Sequence, residues 1–310
     1  MDILLCGSFE DDERDAWLAE LQDALPDVRW HLTATPANAE LIAAAVVANP
    51  PPGSLQGLPN LRLIQSLWAG VDRLLSDPSL PDVPVARMVD PAMSAAMAET
   101  ALWATLSLHR HFYDYARQQR ACDWQQLPQR RADEIQVTLL GTGQMGRVCA
   151  MRLLAQGYRV TGWNLRGGTL EGLPLEYGMD ALRPLLARSD IVINLLPLTP
   201  QTRDLLDRRF FEALRPGAGL VNLARGGHLV ETDLLQALAR GQVGHAVLDV
   251  FRSEPLPAAH PFWSHPRVTV LPHVAAATDM RSAARIAVHN LRALRDGQPL
   301  SDLVERSRGY

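Results

Sequence analysis

The chain has 310 residues, 47% of them hydrophobic and 21% charged, the balance of a soluble globular protein of about two domains. Thirty basic against thirty-four acidic residues leave a net charge of −4, which supplies no electrostatic footprint for nucleic acid or anionic lipid. All thirty basic residues are arginine, which excludes chemistry that needs a lysine amine: pyridoxal-phosphate Schiff bases, lysine-dependent aldolases and phosphate loops of the GK[ST] kind.

Short runs rich in Ile, Leu and Val alternate with longer amphipathic stretches from end to end, the rhythm of an α/β protein with parallel sheets. Strands are expected near Ile3–Cys6, Val28–Leu32, Ala44–Ala48, Leu61–Ser66 and Val83–Met88, with a helix over Glu13–Leu25, making a first doubly wound unit. From Ser94 apolar and aromatic positions recur at helical spacing as far as Arg120, predicting one long helix. A loop around Trp124–Arg131 leads into a second series, with strand Ile135–Leu140, helix Met145–Gln156 and strand Tyr158–Trp163. Further strands follow at Ile191–Leu195, Gly219–Leu223, Ala246–Val250 and Val268–Leu271, with a helix over Arg203–Leu214 for which Thr202 is an N-cap candidate. A last helix, Met280–Asp296, has nothing to close against in the second series and is expected to return to the first. The domains are therefore expected to be 1–98 with 280–310, and 99–279. The chain shows no internal repeat, and PPPG at Pro50–Gly53 is its one locally biased stretch.

The three cysteines, Cys6, Cys122 and Cys149, make no C-x-x-C pair and no histidine-accompanied cluster, so neither a disulfide framework nor a metal site is expected. The opening residues MDILLCGSFEDDE carry acid where an export signal carries base, and no apolar run reaches the roughly 18 residues of a membrane span. The expectation is a reduced, cytoplasmic protein.

Gly141, Gly143 and Gly146 form G-x-G-x-x-G between a buried-type strand and an amphipathic helix. In that setting the first glycine permits a tight turn, the second lets the backbone approach a pyrophosphate, and the third packs helix against strand. Dinucleotide binding is the reading; a glycine-rich turn without ligand is the bland alternative. The next strand should end in an acid that bonds the adenosine ribose of NAD, and Asn164 stands there instead, with Arg166 two residues later. A carboxylate that would repel a 2′-phosphate is missing and a guanidinium that can pair with one is present, so NADP(H) is expected over NAD(H). Arg166 alone also reads as a solvated loop arginine.

VNLARGG, LDVFRSEPLP and VTVLPHVAAAT place Arg225, Glu254 and His273 just beyond apolar strands, where open α/β sheets bind ligands. Taken singly each has a plain structural explanation: a loop ion pair, a turn acid before Pro255, a partly buried imidazole after Pro272.

Together with the glycine turn these segments resemble the D-isomer-specific 2-hydroxyacid dehydrogenases, and within them the glyoxylate/hydroxypyruvate reductase A type. The resemblance rests on SLWAGVD at Ser66–Asp72, GTGQMG at Gly141–Gly146, INLLPLTPQT at Ile193–Thr202, NLARGG at Asn222–Gly227, LDVFRSEPLP at Leu248–Pro257, HPRVTVLPHVAA at His265–Ala276 and the terminal RGY. It implies an α/β fold of two doubly wound parallel-sheet domains, a flavodoxin-like substrate domain and a Rossmann cofactor domain. It also implies that His273 is the proton donor, paired with Glu254, and that Arg225 binds substrate. Hydride reaching a 2-oxo acid carbonyl leaves charge on the oxygen that His273 can quench, while Glu254 favours imidazolium and Arg225 meets carboxylate and carbonyl with its fork of donors.

By the same resemblance, main-chain N–H groups of Ala69 and Gly70 bind the substrate carboxylate, and Trp68 is either a pocket wall or core. Asn49 and Pro50 occupy a loop where the resembling reductases carry a substrate-lining aromatic, and none stands there. Cofactor contacts fall on Thr142, Gln144, Met145, Leu196, Pro197, Thr202, Leu223, Asp249 and Ala275, in addition to the three glycines, Asn164 and Arg166. Asp249 is either an acceptor for the nicotinamide carboxamide or a strand-end capping acid. The resemblance further implies a homodimer, with the aromatic helix from Ser94 as an interface or else as internal core. The expected function is NADPH-dependent reduction of small 2-oxo acids such as glyoxylate and hydroxypyruvate. The rivals are another D-2-hydroxyacid dehydrogenase and a non-catalytic NAD(P)-sensing binding protein.

Overall fold

A computed structural model describes residues 1–309; Tyr310, the last residue of the RGY motif, lies outside them. The chain divides into two compact units, Met1–Met93 with the segment from Thr278 onward, and Ser94–Ala277. It changes unit at Met93 and again at Ala277, earlier than the sequence-based boundaries of 98 and 279.

The first unit begins with β1 (Asp2–Gly7), α1 (Asp11–Ala24), β2 (Arg29–His31), β3 (Ile42–Ala48), β4 (Leu63–Ser66), the single turn α2 (Asp72–Leu75) and β5 (Val85–Ala86). Its five strands are parallel in the order β2-β1-β3-β4-β5, the flavodoxin-like winding. Strands of such a sheet are covered on both faces, which is why β3 reads IAAAVVA, small and β-branched, without polar alternation. Leu4, Val47, Ile64 and Leu74 meet in its core.

α3 (Pro91–His109) starts in the first unit and from Ser94 belongs to the second, which continues with α4 (Phe112–Ala121), β6 (Gln136–Leu140), α5 (Gln144–Ala155), β7 (Arg159–Asn164), β8 (Leu175–Tyr177), α6 (Gly178–Ala187) and β9 (Ile191–Asn194). Next come α7 (Arg208–Ala213), β10 (Ala218–Asn222), α8 (Glu231–Ala239), β11 (Val243–Leu248) and β12 (Val268–Val270). The strands form one parallel seven-stranded sheet in the order β12-β11-β10-β9-β6-β7-β8, the Rossmann order extended by one strand. Clusters on its two faces, around Phe210, Phe211 and Phe262 and around Leu139, Cys149 and Val221, supply the core.

Three expectations change here. The single helix from Ser94 is two helices, because His111 adopts a left-handed φ of 59° and ends α3; Tyr113 of α4 then stacks flat on His245, rings 4.0 Å apart. The helix expected from Arg203 starts at Arg208, capped by Asp207, whose carboxylate accepts from Phe210 N at 2.9 Å, so Thr202 is not its cap. The short edge strand β8 was not foreseen, since Gly167, Gly168, Gly172 and Pro174 before it and Gly178 after it are turn signals.

The chain returns to the first unit with α9 (Met280–Arg295). Asp279 caps it, accepting from Arg281 N at 3.0 Å and Ser282 N at 3.1 Å; the Arg281 guanidinium and these N–H groups hold its carboxyl down at about 2. Ala283, Ala287, Val288 and Leu291 form the buried stripe of α9, and buried Asn290 ties it to β4 by donating to Gln65 Oε1 at 2.8 Å. Among the described residues no helix is long and apolar enough to cross a membrane.

Candidate active site

The carboxyl ends of β6, β7, β9, β10, β11 and β12 form one edge of the seven-stranded sheet, and the segments leaving it carry every residue singled out above for the second unit. Parallel pairing runs one residue past the strands: Leu195, Leu223, Asp249 and Leu271 each donate their N–H to the neighbouring strand end, at 2.8–3.2 Å. The loops therefore start from a rigid, level row.

At the head of α5 each glycine has its own physical reason. Gly141 has φ +95°, and a Cβ there would lie 2.6 Å from Leu195 O. At Gly146 a Cβ would lie 2.0 Å from Gly141 O, so only glycine lets helix and turn approach this closely. A Cβ at Gly143 meets nothing within 4 Å; no packing of the protein requires glycine there. Gly143 is also the α5 N-cap and offers no side chain to the first-turn N–H groups, and that turn contains no acid. An open approach over uncapped N–H groups at a positive helix end fits a pyrophosphate.

Asn164, ending β7, does more than leave a place without charge. Its Oδ1 accepts from Arg166 N at 2.9 Å and Gly167 N at 2.6 Å, and its Nδ2 donates to Thr142 Oγ1 at 2.9 Å. It builds the loop that presents exposed Arg166 and fastens that loop to the glycine turn.

His273 and Glu254 are joined: His273 Nδ1 lies 2.9 Å from Glu254 Oε2, with the two side chains about half and one-third exposed. Glu254 Oε1 accepts from Phe251 N at 2.8 Å, which fixes the carboxylate. His273 sits at φ 56°, a strained value for a histidine, and Asp249 holds it there. The carbonyl of Asp249 accepts from His273 N at 2.9 Å, and its carboxylate accepts from Val274 N at 2.7 Å and from Ala275 N at 3.2 and 3.1 Å. The hydrogen bond to Glu254 raises the His273 pKa above the ordinary 6.5 against the opposing effect of burial; the Glu254 and Asp249 charges add to the rise and the Arg225 charge reduces it. Burial pushes Glu254 up, but the His273 hydrogen bond, the Phe251 N–H and the charges of His273 and Arg225 together take it below the usual carboxylate value.

Arg225 reaches the same place by close packing. A Cβ on Gly226 would lie 1.9 Å from the Phe251 carbonyl carbon, so the Arg225–Gly226 turn presses directly on the segment that carries Glu254. The Arg225 carbonyl accepts from Asn222 Nδ2 at 3.2 Å, and its Nη1 donates to Ala224 O at 2.7 Å. Among the described residues no group of three or more His, Cys, Asp or Glu is placed to hold a metal ion.

The other expected cofactor residues are less exposed. Leu196, Leu223 and Ala275 are buried, and Thr202 is 2% exposed, its hydroxyl donating to Pro197 O at 2.7 Å and accepting from Thr199 N at 2.9 Å. The Thr202 side chain shapes the loop after β9. Asp249 is 1% exposed, and both its carboxylate oxygens accept from main-chain N–H groups. Sequence reasoning missed Asn194 and Asn222, both fully buried: Asn194 Nδ2 donates to Asn222 Oδ1 at 3.0 Å, linking the β9 and β10 exits. Two asparagines ending consecutive apolar strands, IVIN and AGLVN, were the available signal.

In the first unit Trp68, Ala69 and Gly70 leave β4 at the carboxyl edge of the five-stranded sheet and are all half-buried. Ser66 Oγ accepts from Trp68 N at 3.0 Å and donates to Trp68 O at 3.1 Å, and the Trp68 ring meets buried Trp17 edge-on at 6.2 Å. Asn49 stands at a left-handed φ of 46°, its carbonyl accepting from Ser8 Oγ at 2.9 Å.

Residues 102–275 match the family model of the D-isomer specific 2-hydroxyacid dehydrogenase NAD binding domain. The chain is 38% identical over 305 residues to a protein of Serratia proteamaculans (strain 568) named glyoxylate/hydroxypyruvate reductase A, with 96% of each chain covered. It is similar to the crystal structure of a D-isomer specific 2-hydroxyacid dehydrogenase from Xanthobacter autotrophicus Py2 in complex with NADPH and MES: TM-score 0.94, 37% identity, 100% of this chain and 99% of that one covered. It is similar also to an NADPH-dependent glyoxylate/hydroxypyruvate reductase from Sinorhizobium meliloti in complex with NADP and sulfate, with TM-score 0.91, 34% identity and the same coverage.

Proposed function

The chain belongs to the D-isomer specific 2-hydroxyacid dehydrogenases, and from that premise we propose that it is an NADPH-dependent reductase of small 2-oxo acids, glyoxylate and hydroxypyruvate among them. The observation that carries this reading is the hydrogen-bonded His273–Glu254 pair, with Arg225 beside it, on the same sheet edge as the uncapped glycine turn.

The turn Gly141–Gly146, with Thr142, Gln144 and Met145, would hold the cofactor pyrophosphate, and the Asn164–Arg166 loop its 2′-phosphate. NADPH, when bound, supplies the hydride that reduces the carbonyl carbon. His273 keeps Nδ1 on Glu254, which leaves Nε2 to give its proton to the carbonyl oxygen; the N–H bond breaks, the O–H bond forms, and imidazolium becomes imidazole. Arg225 binds the substrate carboxylate with one side of its fork and steadies charge on the carbonyl oxygen with the other. Ala69 and Gly70 are assigned main-chain donation to the same carboxylate on the resemblance alone. The reading includes a cytoplasmic homodimer, supported by the family resemblance and by exposed Trp103 and Phe112 on the α3–α4 segment.

The direct test is NADPH oxidation with glyoxylate or hydroxypyruvate against NADH. Turnover favouring NADPH is expected; absence of turnover on any 2-oxo acid in a protein that still binds NADPH would favour a cofactor-sensing role instead. Asn164→Asp sharpens the cofactor arm: the carboxylate can still accept from Arg166 and Gly167, so the turn survives, but it sets a negative charge against a 2′-phosphate. The NADPH/NADH ratio of kcat/KM should fall by about 10-fold or more; an unchanged ratio would place the discrimination elsewhere.

Protonation gives a second expectation. Since His273 is held protonated to higher pH than free imidazole, kcat/KM for reduction should be flat at low pH and fall as pH rises through that raised pKa. Glu254→Gln keeps an oxygen on Nδ1 but removes the charge, so the falling limb should move to lower pH. A limb that stays in place would separate Glu254 from the titrating group.

A further inference from the structure

His228 lies three residues after Arg225 in the one-turn helix Gly226–His228, fully buried at 0% exposure. Its Nδ1 is 3.1 Å from the Arg225 carbonyl and its Nε2 is 3.2 Å from the Pro197 carbonyl. A carbonyl oxygen only accepts, so the ring makes both bonds at once only as imidazolium, with a proton on each nitrogen. One side chain thus grips two loops at the sheet edge, the one after β10 that carries Arg225 and the one after β9 that carries Leu196 and Pro197.

The grip completes a circuit. Asn194 holds its own loop by accepting from Leu196 N at 3.2 Å and donates to Asn222, which donates to the Arg225 carbonyl; from there His228 returns to Pro197. Thr202 closes the Pro197 side with its own donation to the same carbonyl.

We propose that His228 is a positioning residue with two separable jobs: Nδ1 sets Arg225 for the substrate carboxylate, and Nε2 sets the Pro197 loop for the cofactor. This rests on the function proposed above for Arg225 and on the cofactor contact that the resemblance implies for Pro197, and it assigns His228 no contact with either ligand.

The two nitrogens can be removed one at a time. In His228→Asn the amide nitrogen stands where Nδ1 was and can still donate to Arg225 O, but the side chain no longer reaches Pro197 O, which keeps Thr202 Oγ1; in His228→Gln the amide nitrogen stands where Nε2 was, and the side-chain bond to Arg225 O is lost while the donations from Asn222 Nδ2 and the residue 228 N–H stay. Titration calorimetry with NADPH, and with oxalate into the NADP⁺-loaded protein as a non-reducible carboxylate probe, reads the two loops separately. H228Q is expected to weaken oxalate about 5-fold and leave NADPH within about 2-fold, and H228N to show the reverse, the size of one hydrogen bond. A residue that merely fills space would move both constants together in both variants. That parallel response, or no response in either variant, would overturn the proposal.

Because the readout is binding, the outcome does not depend on turnover. A wild type that binds both probes but reduces no 2-oxo acid would sink the enzymatic reading while the pattern across the variants still judges His228. A wild type that binds neither probe overturns both.

Discussion

His273→Asn should retain NADPH binding and lose roughly 10²- to 10⁴-fold in kcat for glyoxylate reduction, the range a positioned proton donor contributes. Asparagine is chosen over alanine because His273 stands at φ 56°, a left-handed conformation that asparagine accepts with less strain than other residues carrying a Cβ. The main-chain bond from residue 273 to Asp249 O, and the Val274 and Ala275 bonds to its carboxylate, then survive, so the loss reports the missing acid and not a collapsed loop. Glu254 in this variant keeps Phe251 N and loses its cationic partner. Rapid kinetics and NADPH titration on the same preparation separate the two effects. Turnover within about 3-fold of wild type would mean that the proton comes from another group, and the pair would become an element of loop structure.

Much of the fold is legible because parallel sheets write themselves as apolar runs. Strands such as IVIN and AGLVN, covered on both faces, leave little room for another reading. What was not legible depends on single backbone angles and on distant partners. Nothing in HRHFYDYARQQR announces that His111 turns left-handed, because the gain that favours the break is the stacking of Tyr113 on His245, more than 100 residues away. Asp207 displaced Thr202 as a helix cap for a similar reason: Thr202 has better use inside the Pro197 loop, where its hydroxyl meets Thr199 N and Pro197 O.

The site divides along the same line. The residues of the chemistry and the phosphate turn, Arg225, Glu254, His273 and the three glycines, were visible from type and placement after strands. Residues that hold those in place were not. Asp249 was visible as an acid, but only the fold shows that its carboxylate faces inward to the His273 segment; Asn194, Asn222 and His228 were passed over altogether. A supporting residue works through main-chain groups of its neighbours, and a main-chain group has no letter in the sequence.

The other large effect is expected at Arg225. Arg225→Gln should lower kcat/KM for glyoxylate by about 10³-fold or more, since it removes charge-assisted bonds to the substrate carboxylate, roughly 1.5–3 kcal/mol each, and the donor that steadies the carbonyl oxygen. Arg225→Lys keeps the charge without the fork, so it should recover only part of the loss and chiefly in KM. NADPH affinity should stay near wild type in both. An independent reading comes from the pH profile. The Arg225 charge opposes protonation of His273, so removing it should move the falling limb to higher pH, opposite to the shift expected for Glu254→Gln. A large loss of kcat/KM with an unmoved limb would place the Arg225 guanidinium away from the reacting imidazole. Opposite shifts in the two variants would show the three side chains acting on one proton, which is the arrangement that reduction of a 2-oxo acid requires.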